Sequence, residues 1–324
     1  MKKRILTLGL LSIIALTGCN KSIKIDPDKE KYVVGIAQFA PHVALDAATN
    51  GFKAKLSSLL AAEGRQVEFE ETNASGDLSL PSVIVNSLLA KDVDLIMANA
   101  TPCVSAAYSA TSTIPILGTS VTDYGVACDL KMEGGKSGTN LSGTSDLAPL
   151  GTQVEEMLKL LPRADKFGIL YCSSEANSKF QVDEVSRVLR EKGKTVNLRS
   201  FVDATDLQAV CLRAASEDDA IYIPTDNTAA QCGSIINSVF ASRRIPVYAG
   251  EEGICKAAGI ATLSIDYFKL GEITGEMAFK VLLGKEDIRE YAIKYDEQPV
   301  KKFNKAKCED LGIEVPSDYV ELGE

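Results

Sequence analysis

Residues 32–38 read YVVGIAQ, residues 44–63 read ALDAATNGFKAKLSSLLAAE and residues 66–71 read QVEFEE, and this succession decides the fold. A short apolar, β-branched run is followed by a long stretch with apolar residues at helical spacing, then by a second strand-like run. That is the pattern of parallel strands joined by a crossover helix. Working outward, the spacing predicts a helix over 78–91, a strand over 94–98, a helix over 102–110 and a strand over 114–118, which together make a doubly wound half. A stretch rich in Gly, Lys, Ser and Thr (131–140) and the segment 141–146 follow. The same grammar then starts again. Helices are expected over 153–161, 179–192, 206–215 and 228–242, and strands over 166–171, 195–202, 220–224 and 245–249. A strand-like run at 259–265 precedes a helix at 267–283 that is expected to return to the first unit. The fold class is therefore α/β, with two doubly wound Rossmann-like lobes joined by a hinge, since a chain that crosses repeatedly between lobes makes one. The expected boundaries are 32–145 plus 265–285 for the N-terminal lobe and 146–264 plus 286–324 for the C-terminal lobe. That length exceeds what one hydrophobic core usually organises.

Ahead of these lobes, Lys2, Lys3 and Arg4 precede an apolar run over 5–16 that is short for a membrane span. This is the layout of a secretory signal peptide, expected over 1–18. Leu16-Thr17-Gly18-Cys19 resembles the bacterial lipobox, which implies cleavage before Cys19 and lipidation of that cysteine. The polar stretch 19–31 is expected to be a tether. The chain is thus expected at the extracytoplasmic face of the cell membrane, held by an N-terminal lipid.

Acidic residues outnumber basic ones, 44 to 35, and no Lys/Arg cluster lies outside the leader, so a nucleic-acid partner is not expected. Of eight cysteines, those beyond Cys19 are odd in number and none stands in a Cys-x-x-Cys pair. Cys172 and Cys211 read as small buried hydrophobes, and a Cys103–Cys128 pairing stays open. The chain has one histidine, His42, so a zinc site lacks ligands. No metal and no cofactor is expected. There is no Gly-x-Ser-x-Gly elbow and no glycine-rich phosphate loop, and no catalytic residue is assigned.

In an open parallel sheet, ligands bind beyond the carboxyl ends of the strands. The segments that fall there are 38–46, 99–102, 118–123, 171–178, 224–227, 249–253 and 264–267. Four of them, Ser173 to Ser178, Pro224 to Asn227, Gly250 to Gly253 and Ile265 to Tyr267, stand in the order found in solute-binding proteins of ABC transporters. The chain resembles the members of that family described as taking up tryptophan and related aromatic amino acids. The resemblance covers nearly the whole chain after Cys19. It implies the type I periplasmic-binding-protein fold, a monomer that traps a small molecule between its lobes and hands it to ABC permease subunits.

For an amino-acid ligand, the carboxylate wants neutral donors and helix N-termini. Thr101, just before Pro102, is so placed, and Thr119, Ser120, Asn177 and Ser178 would add hydroxyl or amide donors. The ammonium wants a carboxylate; Asp226, Glu251 and Asp266 are the candidates, with Asp226 and Asp266 favoured. Phe39, Leu45 and Tyr267 would make an apolar slot for the side chain. Gln38, His42, Ser174 and Asn227 complete the expected site. Duller roles compete. Asp226 with Asn227, and Asn177 with Ser178, stand where helix caps belong; Asp46 would make a favourable dipole contact, His42 a loop hydrogen bond, and Glu175 would be solvated. A nucleoside or sugar cargo, or a sensor that presents its ligand to a receptor, are the competing functions. The absence of Trp leans slightly against sugars.

Overall fold

A computed structural model describes residues 22–296 and 298–323; the expected signal peptide, lipobox and Cys19 lie outside them. The first lobe runs β1 (Lys31–Gln38), α1 (Val43–Ala62), β2 (Gln66–Asn73), α2 (Leu80–Ala90), β3 (Leu95–Asn99), α3 (Thr101–Ala110), β4 (Ile116–Val121), α4 (Tyr124–Cys128) and β5 (Leu141–Ser145). The second runs α5 (Leu150–Leu160), β6 (Lys166–Cys172), α6 (Ala176–Glu191), β7 (Thr195–Phe201), α7 (Ala204–Glu217), β8 (Ala220–Ile223), α8 (Asn227–Gln231), α9 (Gly233–Arg243), β9 (Val247–Ala249), α10 (Glu252–Ala257) and β10 (Ala261–Ser264). The chain then crosses back through α11 (Tyr267–Leu282), a 3-10 turn (Ile288–Glu290) and β11 (Lys294–Tyr295). It ends on the second lobe with β12 (Val300–Phe303), α12 (Lys305–Leu311) and β13 (Val320–Glu321).

The two sheets repeat one design. Their orders are β11-β5-β4-β3-β1-β2 and β13-β12-β10-β9-β8-β6-β7. Each is parallel except for the antiparallel β10–β12 pair. Each winds outward in both directions from its first strand, so both switch points, where ligands sit in such sheets, face the junction between lobes. Burial explains the placing of strands. All five residues of β3 are buried, as a central parallel strand covered on both faces requires, whereas polar β2 is half-exposed at the edge.

The crossing helix is fastened to the first lobe by close backbone contact. A Cβ on Gly271 would lie 2.0 Å from the Ala48 carbonyl oxygen, and one on Gly51 would lie 2.0 Å from that of Phe268. Glycine at both positions lets α1 and α11 touch backbone to backbone, and Met277, Val281 and Leu282 complete the apolar layer against β1 and β3.

Several expectations change. The return to the second lobe comes later than residue 286: Ile288 and Tyr291 pack in the first lobe's core, and β11 extends its sheet beside β5. The expected tether over 19–31 is docked where it is described. Ile23 and Ile25 pack on the first lobe, Lys24 N–H donates to the Thr113 carbonyl, and Lys29 pairs with Asp94. The helix expected over 228–242 divides at Cys232 into α8 and α9. The strand expected over 114–118 is shifted to Ile116–Val121, carrying Thr119 and Ser120 into the sheet. All seven described cysteines are unpaired, including Cys103 and Cys128, while Cys172 and Cys211 are buried.

Candidate functional site

Between the lobes lies a nearly closed cleft with a free volume of about 10 Å³, room for about one water molecule. His42, Leu45, Ser120 and Thr122 line it from the first lobe, and Asn177, Thr225, Asp226, Asn227, Ala230 and Glu251 from the second. Asp146 and Tyr267, at the first two crossings, form its back. The walls touch directly: His42 Nε2 lies 3.2 Å from Asn227 Oδ1, and Gln181 Nε2 donates across to Thr122 Oγ1 at 3.3 Å.

The electrostatics are one-sided. Asp146, Asp226 and Glu251 all line the cleft and are buried, and among the described residues no Lys or Arg does. Asp146 accepts from two hydroxyls, Tyr267 at 3.0 Å and Thr122 at 3.2 Å, and burial pushes it up to about 6. Glu251 caps α10, accepting from the Gly253 N–H at 2.6 Å and from the Ile254 N–H. Burial, and then the charges of Glu252 and Asp146, push it up to about 7. Asp226 accepts from the Cys172 N–H at 2.6 Å, the Ser178 hydroxyl at 2.7 Å and the Ala229 N–H at 2.8 Å. Burial, and then the charge of Glu175, push it up to about 7. Desolvation favours the neutral acid in each case, so a cation entering the cleft would meet carboxyl groups ready to ionise against it.

Buried polar atoms of three residues that line the cleft also lack partners among the described residues: His42 Nδ1, Ser120 Oγ and Asn177 Oδ1. Ser120 sits at φ 54 and Ala100, at the start of α3, at φ 83. Both belong to the left-handed region that non-glycine residues avoid, and such strain gathers at ligand sites. At Ser120 it coincides with a break in the β4–β5 register between Gly118 and Val121.

Eight of the expected residues therefore meet in one place: His42, Leu45, Ser120, Asn177, Asp226, Asn227, Glu251 and Tyr267. The others do not line the cleft. Asp266 is exposed and caps α11 by accepting the Lys269 N–H at 3.0 Å. Phe39 is fully buried in the first lobe's core. Gln38 is tied to Asp46 and Thr49 behind the wall, Thr119 accepts from the Thr144 hydroxyl, and exposed Ser174 donates to the Val202 carbonyl. Ser178 donates to Asp226 rather than to the cleft. Thr101 is buried at the start of α3.

Two acidic residues behave otherwise than expected. Glu175 is not solvated: it is 1% exposed and accepts from Asn177, from the backbone and side chain of Asn227, and from those of Thr228. Asp146 was absent from the expected site although it ends the run 141–146. Extending the carboxyl-end rule to β5 finds it. Thr122, Thr225 and Ala230 join it as cleft residues not expected.

Two doubly wound lobes of the type I periplasmic-binding-protein architecture, hinged over a carboxylate-lined cleft, define a protein built to enclose a small solute. The family model described as "ABC transporter substrate binding protein" matches residues 33–321, and the chain belongs to that family. It is 35% identical over 295 residues to a tyrosine-binding protein of Clostridioides difficile (strain R20291), covering 87% of this chain and 85% of that protein. The fold matches a domain from Streptococcus pneumonia in complex with L-Trp, with a TM-score of 0.83 at 30% identity, over 89% of this chain and 99% of that one. A ligand-free, open structure of a substrate binding protein with adhesive properties from Clostridium difficile matches with a TM-score of 0.67 at 32% identity, over 90% of this chain and 100% of that one.

Proposed function

We propose that this chain is the lipid-anchored, extracytoplasmic solute-binding component of an ABC importer and that its cargo is an aromatic amino acid. The observation that carries the cargo is the trio Asp146, Asp226 and Glu251 around a small cleft that, among the described residues, has no lysine or arginine in its walls. Such a site calls for a ligand bearing a cation. Nucleosides and sugars bring hydroxyl donors but no cation, and would compensate three buried carboxylates less fully than an ammonium does.

The ammonium sits between Asp146 and Glu251, whose hydrogen bonds leave lone pairs unfilled, with Asp226 adding its field. Ser120 Oγ, an uncommitted donor, faces the ligand's carboxylate. Leu45, Ala230 and Tyr267 flank the ring. The relatives' reported ligands, tyrosine and L-Trp, support the class. At nearly equal identity the chain superposes better on the L-Trp complex than on the open structure, which supports a closed arrangement that opens to admit ligand. Cys19 carries the lipid, and permease subunits receive the closed form. Membership in a solute-binding family, together with a cleft whose one histidine is engaged by an amide oxygen, supports binding without catalysis.

The test is thermal unfolding of the lipid-free protein against the twenty amino acids, several nucleosides and several sugars, because native-state binding raises the midpoint. A rise with Trp, Tyr or Phe is expected; a rise confined to nucleosides or sugars would overturn the cargo.

A further inference from the structure

His42 is the only histidine in the sequence, and its protonation pattern follows from its neighbours. The Glu175 carboxylate receives Asn227 Nδ2 at 2.6 Å. A carboxylate accepts here, so that atom of Asn227 is the amide nitrogen and Oδ1 is the carbonyl oxygen. Oδ1 stands 3.2 Å from His42 Nε2. An amide oxygen also only accepts, so Nε2 carries the proton and donates. Burial holds the imidazole below its ordinary value, so near pH 7 the ring is neutral and its second nitrogen is a bare acceptor. That nitrogen, Nδ1, is buried and has no partner among the described residues. A flipped ring would not alter the conclusion, since whichever nitrogen faces Asn227 must be the donor.

A buried acceptor without a donor is unfavourable, and the ligand is what can supply one. Its ammonium is claimed by the carboxylates, which leaves the donor to its side chain. We infer that His42 Nδ1 accepts a hydrogen bond from a ring O–H or N–H of the ligand, so that the cleft selects tyrosine or tryptophan over phenylalanine. The inference rests on the aromatic amino-acid reading above. Glu175 and Asn227 act as positioning residues: they fix the tautomer of His42 without touching the ligand's donor.

Because the histidine is unique, its nitrogen resonances in ¹⁵N-histidine-labelled protein, purified without a histidine tag, are assigned without ambiguity. We expect a protonated Nε2 and a bare Nδ1 whose shift changes with L-tyrosine or L-tryptophan but not with L-phenylalanine. A protonated Nδ1, or an equal response to all three, overturns the inference. By titration calorimetry, wild type should bind the better of tyrosine and tryptophan roughly 10- to 100-fold more tightly than phenylalanine. His42→Leu should remove that gap by weakening the donor-bearing ligand, and His42→Gln, which retains an acceptor, should restore part of it. Equal weakening toward all three ligands would assign His42 to their shared ammonium or carboxylate and overturn the inference. Binding of none of them, with the tautomer as derived, would instead refute the aromatic reading, and the inference with it.

Discussion

Asp146→Asn should move affinity and stability in opposite directions. Burial raises the folded carboxyl from its ordinary 3.8 to about 6, a difference of roughly 2 units or about 3 kcal/mol. At pH 7.5 the carboxylate is ionised in both folded and unfolded chains, and the folded state alone bears that penalty. The neutral amide does not, and it still offers an oxygen to the Tyr267 hydroxyl that Asp146 receives at 3.0 Å. The unliganded variant should therefore unfold at higher temperature, by up to roughly 5 °C. For the proposed ammonium ligand the same change removes one partner of a buried charge pair, which costs about 2 kcal/mol or more. Affinity should fall at least about thirtyfold. Calorimetric titration with L-tyrosine and L-tryptophan, alongside thermal unfolding without ligand, reads both effects. A variant that is destabilised and binds poorly would have been damaged structurally. One that is stabilised and binds as wild type does would refute the role given to Asp146.

Two further outcomes follow from the same geometry. Asp266→Asn should leave affinity within about twofold, because Asp266 is exposed and Asn caps a helix as well as Asp does; a tenfold loss by calorimetry would return it to the site. Glu251, raised from 4.5 to about 7, holds its proton more tightly folded than unfolded. Its contribution to stability is therefore complete below about pH 4.5 and is lost as pH rises through 7, at up to about 1.4 kcal/mol per pH unit. In urea unfolding at pH 5, 6, 7 and 8, Glu251→Gln should gain on wild type as pH rises to 7 and then level off. A constant difference would contradict the assignment.

The sequence by itself determined the alternation of strands and helices, the two-lobe repeat and the return of the chain through α11. These depend on local apolar period and on chain order, which a linear reading contains. It also located most of the cleft, because ligand loops follow the carboxyl ends of parallel strands. The pocket facing of each side chain was decided only by tertiary packing. Asp226 and Asp266 look alike in sequence, each standing just before a helix, and each does cap one. Asp226 is 1% exposed, enclosed by the end of β6, Ser178 and Glu175, while Asp266 lies in solvent at a crossing. Asp146 depended on the same remote contacts: Tyr267 reaches it from 121 residues away. The partners that desolvate a carboxylate come from segments far apart in sequence, and only the folded chain brings them together.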